Sequence, residues 1–343
     1  MQFRNILVRA TDWVGDAVMS IPALHALRAR FPDAHISILA RPWVAGVYGR
    51  EPVCDAIIPY EPPRGWNGLR PKWRLSAELR RRKFDCAILL PNSFESAALA
   101  RLAEIPIRVG YARDARSWLL THPIPVPLAG ETPAHQRFYY LELLKRAKLI
   151  DGYSLDSSIR LSSAKAVQAR DNSVRTIGVS PGAAHGGAKR WLPERFAEAA
   201  VQIAHELGAS VAIFGSKEEL DICELVRRSI AAAGVPCTNF AGKTTLAEFI
   251  ELAPACDVFL TNDSGAMHIA SALGVPTVAI FGATDDQATG PTDTHSRVVR
   301  EPVECSPCLR QECPIDHRCM TRVDAARVAE TALSLVVLDR QNA

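Results

Sequence analysis

From Asn5 to Ala40 the chain reads NILVRATDWVGDAVMSIPALHALRARFPDAHISILA. A short apolar run (Asn5–Arg9) gives way to a polar turn, then to a helical pattern over Asp16–Phe31, then to a second apolar run at His35–Ala40. That succession predicts a βαβ unit whose strands are parallel and buried on both faces. The same grammar restarts at Arg175 with RTIGVSPGAAHGGAKRWLPERFAEAAVQIAHELGASVAIFG, through Gly215. Asp85–Leu90, Asp257–Thr261 and Pro276–Phe281 read as further strands, and His135–Ile150, Glu218–Ala233, Leu246–Ala253 and Gly265–Leu273 as helices. Polar sequence from Asp151 to Asn172 separates the two series. The expectation is two α/β domains, residues 1–165 and 172–343, with a cleft between them. Ligands of such sheets bind at the carboxyl ends of the strands, in the loops that lead into helices.

Length and charge agree with that plan. A chain of 343 residues and 37.4 kDa is long enough for two ordinary domains. With 40 basic against 37 acidic residues and 48% hydrophobic content, it fits neither a disordered chain nor a dedicated nucleic-acid binder. The charge is uneven: residues 1–150 hold 22 Lys and Arg against 13 Asp and Glu, the remainder 18 against 24. Seven of those cations fall in RPKWRLSAELRRRK, Arg70–Lys83, around Trp73. Such a run is either a solvated helix face or a surface for an anionic partner, a phosphorylated ligand or an anionic membrane. The first residues lack a signal-peptide pattern. The uncharged run Ser264–Thr284 carries His268, Gly274 and Pro276, so it reads as helix, turn and strand rather than a transmembrane segment. A cytoplasmic protein is expected.

Three familiar motifs fail on inspection. Gly178-Val179-Ser180-Pro181-Gly182 fits the nucleophile elbow of hydrolases, but the elbow needs the amide N–H of the residue after the serine, and proline has none. Gly182 and Gly187 have P-loop spacing, yet Ala188-Lys189-Arg190 replaces the required Lys and Ser or Thr. No two glycines are separated by a single residue, so the dinucleotide fingerprint is absent.

What remains are strand-to-helix loops. PGAAHGGAKRW, Pro181–Trp191, can cradle an anion on its amides beside Lys189, or be a plain surface loop. Asn262-Asp263-Ser264-Gly265 opens a second such junction, in which the polar residues also suit helix capping. Phe214-Gly215-Ser216 could wall a nucleoside. In the first half, Trp13-Val14-Gly15-Asp16 leads into a helix, where Asp16 is either a cap or a general base. Asn92, Ser93 and Phe94 end another strand and could line an acceptor.

As a set, WVGD at 13–16, LLPNSF at 89–94, PGAAHGGAKRW at 181–191, FGS at 214–216 and TNDSGAMH at 261–268 resemble the ADP-heptose:lipopolysaccharide heptosyltransferases over nearly the whole chain. The resemblance implies a GT-B-type fold of two Rossmann-like domains with parallel sheets facing across a cleft. It implies transfer of L-glycero-D-manno-heptose from ADP-heptose to a Kdo-lipid A-type acceptor at the inner face of the cytoplasmic membrane, with inversion. It assigns Asp16 as base and Lys189 to the diphosphate. It places the donor on Gly182, Ala183, Lys189, Trp191, Phe214, Gly215, Ser216, Asn262, Asp263, Ser264, Gly265, Met267 and His268, and the acceptor on Trp13, Gly15, Asn92, Ser93 and Phe94. Relatives that add the first heptose carry hydroxyl residues before the lysine, where this chain has Ala183, Ala184 and His185, which favours transfer to the first heptose rather than to Kdo. No Asp-x-Asp occurs, so no metal and no cofactor are expected. Addition of the first heptose, a nucleotide-sugar epimerase of similar fold, and a non-catalytic nucleotide-sugar binder are the competing readings.

Of nine cysteines, Cys54, Cys86, Cys223, Cys237 and Cys256 read as packing residues. Cys305, Cys308, Cys313 and Cys319, near His317, are dense enough for zinc or an iron–sulfur cluster, or form a reduced structural loop.

Overall fold

The structure, a computed structural model, describes residues 2–61, 69–163 and 175–342. The chain divides into two compact units, Met1–Ser157 and Ser158–Ala343. Residues 158–163 already run along the second unit. Ile159 is buried, Leu161 N donates to Ala272 O at 2.9 Å, and Ser163 Oγ lies 3.1 Å from a Glu251 oxygen. The division therefore falls within the polar stretch Asp151–Asn172, ahead of the expected domain bounds at 165 and 172; residues 164–172 lie outside the described residues.

The first unit runs β1 (Asn5–Arg9), α1 (Val14–Arg30), β2 (His35–Ala40), α2 (Pro42–Tyr48), β3 (Ala56–Pro59), α3 (Leu69–Arg81), β4 (Cys86–Leu89), α4 (Phe94–Leu102), β5 (Ile107–Tyr111), β6 (His122–Ile124) and α5 (Gln136–Arg146). The second runs β7 (Thr176–Ser180), α6 (Pro193–Leu207), β8 (Ser210–Ile213), α7 (Leu220–Ala232), β9 (Cys237–Asn239), α8 (Leu246–Leu252), β10 (Val258–Asn262), α9 (Gly265–Ala272), β11 (Thr277–Phe281), α10 (Asp286–Thr289), β12 (Ser296–Arg300), α11 (Arg318–Thr321) and α12 (Ala325–Asn342). The sheets are ordered β3-β2-β1-β4-β5-β6 and β12-β11-β10-β7-β8-β9, and their pairings are parallel.

Both are doubly wound Rossmann-like sheets, as the alternation predicts. Each reverses direction once, between β1 and β4 in the first unit and between β7 and β10 in the second. At a reversal the loops after neighbouring strands leave toward opposite faces, opening a crevice at the strand ends. The strands flanking the reversals are buried along nearly their whole length, which accounts for their unbroken apolar sequences. Helix α6 is amphipathic. In α6, Phe196, Ala199, Ala200 and Ile203 turn inward, Pro193 sits in the first turn, and Gly208 ends the helix at φ 63°.

The strands that sequence reading does not single out are β3, β5, β6, β9 and β12. Four of them are edge strands, and their short or mixed sequences, such as HPI in β6 and SRVVR in β12, follow from having only one hydrogen-bonded neighbour. The elbow-like serine is ordinary strand: Ser180 is buried in β7, and a Cβ on Gly178 would stand 2.3 Å from the Phe259 ring, so that glycine serves packing. The uncharged run Ser264–Thr284 contains α9 and β11, and no helix among the described residues is long and apolar enough to cross a membrane.

Candidate functional site

In the first unit the loops after β1 and β4 flank the reversal. Trp13 occupies the N-cap position of α1 in extended conformation without a side-chain capping bond, and Asp16 lies in the first turn, where the helix dipole favours a carboxylate. Oδ1 of Asp16 accepts a hydrogen bond of 2.9 Å from the Tyr140 hydroxyl on α5. The next tyrosine back, Tyr139, accepts at its hydroxyl from Asn92 Nδ2 at 3.0 Å. Two consecutive residues of α5 thus reach the first turn of α1 and the loop after β4, and neither is marked by the sequence pattern. Ser93 Oγ caps α4 through Ser96 N (3.3 Å), and Phe94 is exposed against the Trp118 ring, centroids 6.0 Å apart.

Arg116 explains how the loop after β4 is held. It is 0% exposed. It donates to the carbonyls of Pro91, Ser93 (3.3 Å) and Tyr111 (3.2 Å), to Ser96 Oγ (2.9 Å) and to Asn92 Oδ1 (3.4 Å). Burial pushes the guanidinium down to about 10. Gly110 makes room for it, since a Cβ there would lie 3.0 Å from Arg116 Nη2. Beside Trp13, Asp12 accepts from Arg9 Nη2 (2.7 Å) and Arg41 Nε (3.1 Å), so cations gather at the same strand ends.

In the second unit the loops after β7 and β10 are stitched together. The buried Asn262 amide accepts at Oδ1 from Trp191 N (2.8 Å) and donates through Nδ2 to Pro181 O (2.8 Å) and Gly182 O (3.2 Å). Lys189 Nζ reaches Asp263 Oδ2 at 2.6 Å, and Thr284 Oγ1 donates to the same oxygen at 2.7 Å. Ser264 Oγ is 3.1 Å from Thr261 Oγ1, Gly265 begins α9, and His268 is buried one turn in. Phe214 is buried and stacks on Phe240 at 5.5 Å. A Cβ on Gly215 would meet Cys223 Sγ at 2.7 Å, and Ser216 N donates to Glu219 at 2.8 Å. The Glu219 carboxylate also lies against Gly182, within 2.1 Å of where a Cβ would be.

Some expected donor contacts have other work here. Trp191 is core: its indole donates to Val323 O (3.2 Å) and packs edge-on against Phe196. Met267 is wholly buried with Ala279 and Phe281. Neither side chain is exposed to solvent in this structure.

The amide cradle also needs correction. Gly187 N donates to Glu312 Oε1 (3.0 Å), Ala188 N to Gln311 O (2.9 Å), Lys189 N to Gly186 O (3.4 Å) and Arg190 N to Gly187 O (3.0 Å). The amides of residues 187–191 are spent inside the protein, so main-chain donors for an anion must come from the earlier part of the loop. Arg190 reinforces that part by donating to Ala183 O through Nε and Nη2 (3.3 and 3.1 Å).

The segment that takes those amides carries the four clustered cysteines. Cys305, Cys308, Cys313 and Cys319 line one small pocket with Ala188, Gly282 and His317. Burial, and then the three neighbouring sulfurs, push the Cys319 thiol up. All are free thiols, and among the described residues no three His, Cys, Asp or Glu side chains are placed to hold a metal ion. The segment is sewn to its surroundings by Ser306 Oγ donating to Gly282 O (2.6 Å), Leu309 N to Ala283 O (2.7 Å) and the contact of His317 Nε2 with Ala188 O (3.0 Å).

Residues 72–318 match the model of glycosyltransferase family 9 (heptosyltransferase). The chain is 33% identical over 306 residues to lipopolysaccharide heptosyltransferase 2 of Salmonella typhimurium, an alignment covering 86% of this chain and 88% of that one. The solved ADP-heptose lps heptosyltransferase II of E. coli superposes with a TM-score of 0.81 at 29% identity, covering 99% of this chain and 100% of that one. A glycosyl transferase family 9 structure from Veillonella parvula shares the fold, with a TM-score of 0.82 at 22% identity over 98% of both chains. Two Rossmann-like units of GT-B type, the ordered loop motifs and this sequence similarity agree: the chain belongs to glycosyltransferase family 9, the heptosyltransferases.

Proposed function

We propose that the chain transfers L-glycero-D-manno-heptose from ADP-heptose to the first heptose of a Kdo-lipid A-type acceptor, inverting the anomeric carbon and using no metal. The observations that carry this reading are one oriented carboxylate, Asp16, at the reversal of the first sheet, and one partly buried lysine, Lys189, at the reversal of the second. Asp16 takes the proton of the acceptor hydroxyl as its oxygen forms a bond to the anomeric carbon. The bond from that carbon to the β-phosphate oxygen breaks, and its electron pair leaves with ADP. Lys189 has three ammonium donors, one directed at Asp263, and the others serve the diphosphate as charge builds on it. The lack of Asp-x-Asp supports metal-free catalysis.

The acceptor is a lipid, and α3 supports its meeting the chain at the inner membrane face. Arg70, Trp73, Arg74, Arg80 and Arg81 are exposed on that helix, a cationic face with an aromatic centre suited to anionic headgroups. The test is to incubate ADP-heptose with Kdo-lipid A acceptors bearing zero or one heptose and weigh the products. A mass gain of one heptose on the one-heptose acceptor alone is expected; gain on the heptose-free acceptor moves the chain one step earlier, and donor consumption without acceptor rejects transfer.

A further inference from the structure

We propose that Tyr140 is the positioning residue of the transfer: its hydroxyl fixes Oδ1 of Asp16, so that the other carboxylate oxygen is presented to the acceptor hydroxyl. The proposal rests on Asp16 being the base. Its ground is geometric. Tyr140 is buried on α5, and α5 packs against α1, which carries Asp16. A phenol placed 2.9 Å from a carboxylate oxygen is a donor to it. Gln136 Nε2, one turn earlier on α5, stands 3.4 Å from the same phenol oxygen and can donate to it, leaving the phenol proton for Asp16. The ring is held edge-on by Tyr139 at 6.0 Å, so the hydroxyl has little freedom to turn away.

The titratable surroundings keep these roles apart. Burial first, and the Asp16 charge next, raise the Tyr140 phenol well above its usual value, so it stays protonated and donating. Tyr48, buried on α2 beneath α1, is likewise pushed up to about 12 by burial, and the Arg9 guanidinium acts on it from β1. A hydrogen bond to a base does two things: it stabilises the ionised carboxylate, and it orients the carboxylate relative to the substrate.

Removing only the phenol oxygen separates this role from packing. Tyr140→Phe in the full chain is expected to lower kcat about tenfold, the worth of one hydrogen bond to a charged group. KM for ADP-heptose stays unchanged, and the acid limb of the kcat profile moves to higher pH because the carboxylate loses a bond that favours its charged form. Fluorotyrosine at position 140, a stronger donor of the same shape, moves the limb to lower pH and serves should the phenylalanine variant fold poorly. In the double variant, Asp16→Ala with Tyr140→Phe is no slower than Asp16→Ala alone. Wild-type kcat and an unmoved acid limb in Tyr140→Phe, with Asp16→Ala inactive, overturn the positioning role while leaving the base intact. Near-normal turnover in Asp16→Ala instead overturns the base reading itself.

Discussion

Lys189 Nζ and Asp263 Oδ2 lie 2.6 Å apart, with only 16% and 5% of their side chains exposed. The lysine is therefore not a loose surface cation but half of a largely buried pair that ties the loop after β7 to the loop after β10. Removing one partner of such a pair strands the other charge, which costs about 3 kcal/mol or more. Lys189→Ala is expected to lower the denaturation midpoint and raise KM for ADP-heptose together. Adding Asp263→Asn removes the stranded charge and restores most of the stability, but leaves the donor KM high. Recovery of donor KM in the double variant would confine Lys189 to a structural part.

Gly186 is required where the two loops meet. Its φ of 147° is open mainly to glycine, and a Cβ there would stand 2.3 Å from Gln311 O, the carbonyl that accepts from Ala188 N. Gly186→Ala is expected to push the 311–312 segment away and to destabilise the second unit by about 2 kcal/mol. Thermal denaturation reads that loss, and donor KM rises with it because Lys189 is three residues on. A melt within experimental error of the parent rejects the contact.

The exposed face of α3 gives a separable prediction. Replacing Arg70, Arg74 and Arg81 by Ala removes about 3 kcal/mol of attraction to an anionic bilayer, roughly a hundredfold in partitioning. Sedimentation with phosphatidylglycerol vesicles at low and high salt measures it. Turnover of a soluble, delipidated acceptor is expected to stay at the parent value, because no catalytic or donor residue is touched. Equal vesicle binding by parent and variant returns α3 to a solvated helix face.

Much of this was legible in the sequence, and what was not has one physical cause. Unbroken apolar runs announce strands buried on both faces, so β1, β2, β7, β10 and β11 stand out, and the loops after β1 and β10 follow from them. Asn262 illustrates the limit: its position is readable, but its amide holds Pro181, Gly182 and Trp191, partners more than seventy residues away in the chain. The donors of Gly187 and Ala188 are likewise taken by Glu312 and Gln311, a pairing no local pattern encodes. Tyr140 hides in QRFYYLELL, where an aromatic residue at helical spacing looks like core and largely is. Arg116, in a polar loop, reads as solvated although it is fully buried.

All six tyrosines belong to the first unit, which sets a prediction for alkaline pH. Burial pushes Tyr48 up to about 12, and raises Tyr60, Tyr111 and Tyr140 as well, against an ordinary phenol value of 10. The folded unit therefore holds phenol protons that the unfolded chain releases. Stability from these groups is full below pH 10 and falls as pH rises through 12, by at most about 3 kcal/mol for Tyr48. Cys86, raised to about 12 by burial, begins the decline nearer pH 9. Phenolate absorbance and far-ultraviolet circular dichroism are expected to change together, cooperatively, above pH 10. A gradual phenolate titration centred at pH 10 with helicity intact would show that these rings are solvated rather than packed.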